Sequence, residues 1–101
     1  MNLLSFYISE KQHYAGMPLY EWLLEEAKDM GVEGGSAFRA IAGFGRHGKM
    51  HEETFFELAG ELAMKVEFIM DDKLTEELLS RVHIHKLNVF YMKQTVQSGV
   101  A

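Results

Sequence analysis

Twice along this chain a run with strand periodicity is followed by a run with helical periodicity, and no other feature limits the possible folds as much. In residues 3–9, LLSFYIS, Leu4, Phe6 and Ile8 alternate with smaller or amphipathic residues, which predicts a strand. After a polar turn, Pro18 suits the first turn of a helix, where its missing N–H loses no partner. Leu19, Trp22, Leu23, Ala27 and Met30 then recur at helical spacing, Glu21, Glu25, Glu26, Lys28 and Asp29 take the wet side, and Gly31 supplies a stop. The second instance begins at Met64. Met64, Val66, Phe68 and Met70 point one way, Lys65 and Glu67 the other. Asp71 or Asp72 can cap a helix reaching about residue 84, with Leu74, Leu78, Leu79 and Val82 on its apolar face.

Two further strands complete the pattern. Residues 35–42, GSAFRAIA, run into a glycine-rich turn, and residues 87–96, LNVFYMKQTV, form the last strand. Residues 53–58, ETFFEL, read as a short extra strand inside a long excursion. The order is that of the split βαβ plan. It predicts an α+β, ferredoxin-like βαββαβ fold in which an antiparallel sheet carries both helices on one face. The 101 residues form a single expected domain, 1–101, long enough to bury about two-thirds of its unfolded surface. Tyr7, Phe38 and Phe90 are more apolar strand residues than helices on one side can cover, so oligomers packed sheet against sheet are expected.

Composition removes several classes of function. With no cysteine there is no disulfide, thiolate metal site or cysteine nucleophile. A net charge of −5 and a pI near 5.5 exclude a broad nucleic-acid or anionic-membrane binder. The opening Met1-Asn2-Leu3-Leu4-Ser5 lacks a basic n-region, and no apolar stretch is long enough to cross a membrane, so a cytoplasmic location is expected.

Against this acidic background one segment concentrates glycine and cations. Six of the nine glycines lie between Gly31 and Gly48, and Gly43-Phe44-Gly45-Arg46-His47-Gly48-Lys49 follows Arg39 closely. Glycines let successive backbone N–H groups converge on an anion, and Arg39, Arg46 and Lys49 add charge-assisted donors. The same residues also suit a hairpin tip with solvated basic side chains. Neither the phosphate-binding P-loop nor the dinucleotide fingerprint is matched. Of the five histidines, His47 and His51 lie near Glu52 and Glu53, which makes a metal site the alternative chemistry there. The paired carboxylates Glu25/Glu26, Glu52/Glu53, Asp71/Asp72 and Glu76/Glu77 read as solvated faces and helix caps. No nucleophile elbow is present, and no catalytic residues are assigned.

At GFGRHGK the sequence resembles the nitrogen-regulatory PII proteins, in which a GFGR segment ends the second strand and opens the long T-loop. It is more similar still to the PII-like family known as domain of unknown function 190. Two motifs carry that resemblance, Tyr14-x-Gly16-x-Pro18-Leu19-Tyr20 and Arg39-x-Ile41-x-Gly43-Phe44-Gly45, and with the element order it covers about residues 3–96. The resemblance implies a non-enzymatic homotrimer with its sheets inside and three clefts between subunits. It also implies a small anionic effector such as ATP, ADP or AMP in those clefts. A T-loop-like excursion over about residues 43–60 would engage a target protein, for instance a membrane transporter.

Position by position, the carry-over falls on Gly43, Gly45, Arg46, His47 and Lys49. With Arg39 and Phe44 these make the expected nucleotide- or anion-binding set. Two departures stand out. No tyrosine lies between Tyr20 and Tyr91, so the T-loop tyrosine that PII enzymes uridylylate has no counterpart. The glycine-rich B-loop is replaced by His83-Ile84-His85-Lys86-Leu87-Asn88, which offers His85 and Lys86 as phosphate partners. Two other readings stay open: a metal-binding module on His47 and His51, and a ligand-independent structural trimer docking on a transporter.

Overall fold

A computed structural model of the chain describes residues 1–44 and 63–101. Its elements in order are β1 (Asn2–Ser9), β2 (His13–Tyr14), β3 (Met17–Pro18), α1 (Leu19–Asp29), β4 (Gly35–Arg39), β5 (Ala63–Met70), α2 (Asp72–Ile84) and β6 (Phe90–Thr95). The four longer strands form one sheet in the order β4-β5-β1-β6, and every pairing is antiparallel. This is the ferredoxin-like plan expected from the element order, with both crossover helices on the same face.

The alternation read from sequence sets the two faces of the sheet. Leu4, Phe6 and Ile8 on β1 and Met64, Val66, Phe68 and Met70 on β5 are all buried. They meet Leu19, Trp22, Leu23 and Ala27 of α1 and Leu78 and Val82 of α2 in one apolar cluster. Burying each such side chain is worth about 1.5–3 kcal/mol relative to leaving it in water. Phe6 and Phe68 pack edge to face with centroids 6.4 Å apart.

Helix α2 starts as expected at Asp71, whose carboxylate accepts from Leu74 N–H at 2.8 Å. Its buried stripe includes Thr75, with Leu74 and Leu79 partly buried at the margins. The Thr75 hydroxyl donates to Asp71 O at 2.7 Å and accepts from the Asn2 amide at 3.2 Å. Asn2 also donates to Asp72 at 2.8 Å, so the first turn of α2 is tied to β1.

Helix α1 ends at Met30, with Gly31 at φ +95°. Gly31 N–H donates to Lys28 O and Val32 N–H to Ala27 O, both at 3.0 Å, closing the last turn as a Schellman motif.

Four features differ from expectation. The polar turn after β1 contains a two-residue hairpin, β2 and β3, turning through Ala15 at φ +54° and Gly16 at φ +82°. Pro18 is consequently the N-cap of α1, with ψ 141°, and not a first-turn residue. The second main strand stops at Arg39 and the last one begins at Phe90, each shorter than its apolar pattern. The extra strand expected at 53–58 lies outside the described residues.

Candidate functional site

The expected site begins where β4 ends. Arg39 pairs in register with Met64, and Ala40 N–H donates to Ala63 O at 2.9 Å, so the chain leaves and returns through a narrow hydrogen-bonded neck. Across that neck lies the start of β1's turn, because Ser9 pairs with Ala63 on the far side of β5. Arg39 reaches over β5 to it: its Nε donates to Glu10 Oε1 at 2.7 Å. Beyond the neck, Ile41 and Phe44 project fully into solvent.

Gly43 does not use a left-handed φ, and a side chain there would meet nothing within 4 Å. Within the described residues, neither backbone conformation nor a protein contact requires glycine at this position. Gly45, Arg46, His47, Lys49 and the alternative metal ligand His51 lie outside the described residues. Among the described residues, no group of three or more histidines or carboxylates is placed to hold a metal ion.

The second motif, Tyr14 to Tyr20, resolves into local structural roles. Gly16 supplies the hairpin turn, Pro18 the N-cap, and Leu19 a buried core position. Tyr14 bridges elements. Its ring stands edge-on to Trp22, with centroids 5.3 Å apart, and its hydroxyl is 2.8 Å from His85 Nδ1. His85 in turn stacks edge-on against Trp22 at 5.1 Å, so the hairpin, α1 and the end of α2 lock together through three rings.

That lock bears on His85 and Lys86, the phosphate partners offered in place of a B-loop. His85 N–H donates to Arg81 O, Lys86 N–H to His83 O at 2.9 Å and Leu87 N–H to Val82 O at 3.3 Å. These bonds form a Schellman cap with Lys86 at φ +58° in the glycine position. All three amides are spent on the helix end, whose dipole is negative there. Those three amides are therefore not open to an anion, and the exposed Lys86 side chain carries the positive charge of the turn.

Nearby, a half-open cleft of about 310 Å³ between α2 and β6 is floored by Phe6, Val82 and Val89 and rimmed by His83, Asn88 and Tyr91. Its lining is mostly apolar, and none of the described lining residues is a lysine or arginine. Two cations close to α2 are held by acids: Arg81 bridges Glu26 and Glu77, and Lys93 sits 3.6 Å from Glu76.

The open face of the sheet carries several exposed apolar side chains. Register aligns Phe38, Lys65, Tyr7 and Phe90 in one row across all four strands. Tyr7, Phe38, Ile69, Phe90 and Met92 are 37–64% exposed, and the register sets all five on the face turned away from the helices. Within it Lys65 pairs with Glu67 at 3.3 Å and lies 5.3 Å from the Phe38 ring centroid.

Comparison with known proteins agrees with this architecture. The family model described as Uncharacterized ACR, COG1993 (DUF190) matches residues 1–97. A UPF0166 protein of Aquifex aeolicus (strain VF5) is 36% identical over 81 residues, covering 80% of this chain and 77% of that protein. Among solved structures, a Thermus thermophilus protein described as PII-like signalling superposes with a TM-score of 0.61 at 16% identity, covering 92% of this chain and 82% of that one. CPII of Thiomonas intermedia K12, a nitrogen regulatory PII-like protein solved with ADP, AMP and bicarbonate, superposes with a TM-score of 0.54 at 18% identity. That match covers 98% of this chain and 94% of CPII. The ferredoxin-like sheet, the two motifs in register and the match over residues 1–97 lead to one assignment: the chain belongs to the DUF190 family and has a PII-like fold.

Proposed function

We propose that this chain is a non-enzymatic, PII-like regulatory protein that binds an adenine nucleotide and regulates a partner protein through the segment between β4 and β5. The observation that supports the reading is that Arg39 ends β4 and Gly43-Phe44 follow soon after it, in a fold shared with a nucleotide-bound PII-like protein. Arg39, Gly43, Phe44, Gly45, Arg46, His47 and Lys49 form the proposed nucleotide-binding set. Arg46 and Lys49 neutralise phosphate, and backbone at Gly43 and Gly45 approaches it closely.

The working unit is a cytoplasmic homotrimer of single-domain chains, with the open sheet faces turned inward and the nucleotide between subunits. Covering that face removes Tyr7, Phe38, Ile69, Phe90 and Met92 from water, as the surface chemistry of the sheet demands. No helix among the described residues is long and apolar enough to cross a membrane. Any membrane transporter involved is therefore a partner, contacted by the segment between β4 and β5.

Calorimetry tests the reading with ATP, ADP and AMP as titrants and Arg46→Ala as the comparison. Binding of at least one nucleotide, weakened about ten-fold or more by loss of a charge-assisted phosphate contact, is the expected result. Absence of heat with all three at millimolar concentration removes the nucleotide and leaves the ligand-independent trimer.

A further inference from the structure

Among the described residues, Arg39 makes one side-chain contact, and its partner is the carboxylate of Glu10. We infer that Glu10 is a built-in counter-ion for Arg39, released when an anion takes its place, and that it sets both the affinity and the charge selectivity of the site. The inference rests on the nucleotide reading above and adds to it a residue that neither motif contains.

Four observations lead to it. The two side chains are 60% and 30% exposed, and an ion pair in such a setting contributes little to folding, so nothing in the stability of the fold forbids its exchange. The contact runs through Nε alone, whereas a guanidinium can engage an oxyanion through two parallel N–H donors. A terminal phosphate can satisfy that fork better than Glu10 does.

The acid is also held by a firm turn. Ser9 N–H donates to the Gln12 side chain at 2.9 Å, Gln12 N–H to Ser9 O at 3.1 Å and Lys11 N–H to the Ser9 hydroxyl at 3.0 Å, while Ser9 itself is buried. Leu19 N–H donates to Gln12 O at 2.8 Å, tying the turn to the start of α1. The Glu10 backbone therefore stays with the turn when an anion draws Arg39 away, and the pair separates.

Finally, the pair spans the neck. Its two residues sit on opposite sides of the β5 strand at the point where the chain leaves and returns. An anion that captures Arg39 thus breaks a bridge between β4 and the β1 turn, which gives binding a direct mechanical consequence at the root of the segment. Exchanging one carboxylate for another gains nothing, while a terminal phosphate brings up to two charges. The arrangement selects phosphate over carboxylate ligands.

The test is calorimetric titration with ADP, at fixed ionic strength, of the full chain and of Glu10→Gln, Arg39→Gln, the double variant and Glu25→Gln. Glu25 is exposed on α1, so its variant makes the same change in net charge away from the neck. Removing a weak competing pair predicts about five-fold tighter binding by Glu10→Gln, and Arg39→Gln weakens binding about ten-fold. In the Arg39→Gln background the Glu10 substitution has no further effect, and Glu25→Gln behaves as the parent. In the parent chain, the Arg39 Nε–H resonance shifts as ADP is added.

If the parent binds ADP and Glu10→Gln binds it equally or more weakly, the counter-ion is disproved while the nucleotide reading stands. An equal gain in Glu25→Gln, or a gain that persists without Arg39, also overturns it in favour of general charge. If neither the parent nor Glu10→Gln binds ADP, ATP or AMP, the nucleotide reading fails and the counter-ion falls with it.

Discussion

At Gly35 the ring of Phe68, its register partner on β5, occupies the space a side chain would take. A Cβ at that position collides with Phe68 Cε1 and Cδ1 and comes within 3.2 Å of Leu24 Cδ2. Phe68 is 2% exposed and anchors the core beneath α1, so it cannot swing away without opening a cavity. Gly35→Ala is therefore expected to destabilise the fold by about 1–3 kcal/mol through overpacking, measured by urea unfolding. In the sequence Gly35 and Gly43 look alike, two members of one glycine-rich stretch. The structure separates them: one makes room for an aromatic ring, the other stands in open space at the expected site. Residue type alone cannot report which neighbour a backbone atom will meet. Glu10 was illegible for the same reason, since its partner Arg39 is 29 positions away and only strand order brings them together.

The two long helices show how far element boundaries can be read. The start of α2 and the stop of α1 at Gly31 follow from local chemistry, an aspartate cap and a glycine able to take positive φ, whereas the hairpin shifts Pro18 to the N-cap of α1. The end of α2 uses the same cap geometry with Lys86 in the glycine position, at φ +58°. A non-glycine residue there carries strain, which Lys86→Gly relieves at some cost in backbone entropy. The net expectation is a gain of about 1 kcal/mol in unfolding free energy, read from the shift in urea midpoint. The β2–β3 hairpin was not legible as strands, because two residues per strand are too few for any periodicity. Its Tyr14 is held by contacts to Trp22 and His85, which come from elsewhere in the chain.

For the molecule as a whole, the open sheet face decides the state in solution. Phe90 lies on an edge strand, 64% exposed and 5.9 Å from the Tyr7 ring, so replacing it disturbs little of the subunit's own core. In a trimer that buries this face, Phe90→Asp places a carboxylate in each apolar contact without a partner. Light scattering is expected to give three times the chain mass for the parent and a smaller species for Phe90→Asp, with the circular dichroism of the fold retained. A parent that scatters as a monomer overturns the proposed assembly.

Hydrophobic spacing along the chain settles the four long strands and two helices, their order, and the inward faces of β1, α1, β5 and α2, because strand and helix periods are local properties. The family is legible in the same way, through two motifs whose positions relative to those elements are themselves local. Which residues meet is a matter for the folded chain. Folding sets Arg39 on Glu10, Tyr14 between Trp22 and His85, and Lys65 beside the ring of Phe38 within an apolar face. Those contacts join segments far apart in the chain, and their partners exist only once the sheet has chosen its order and register.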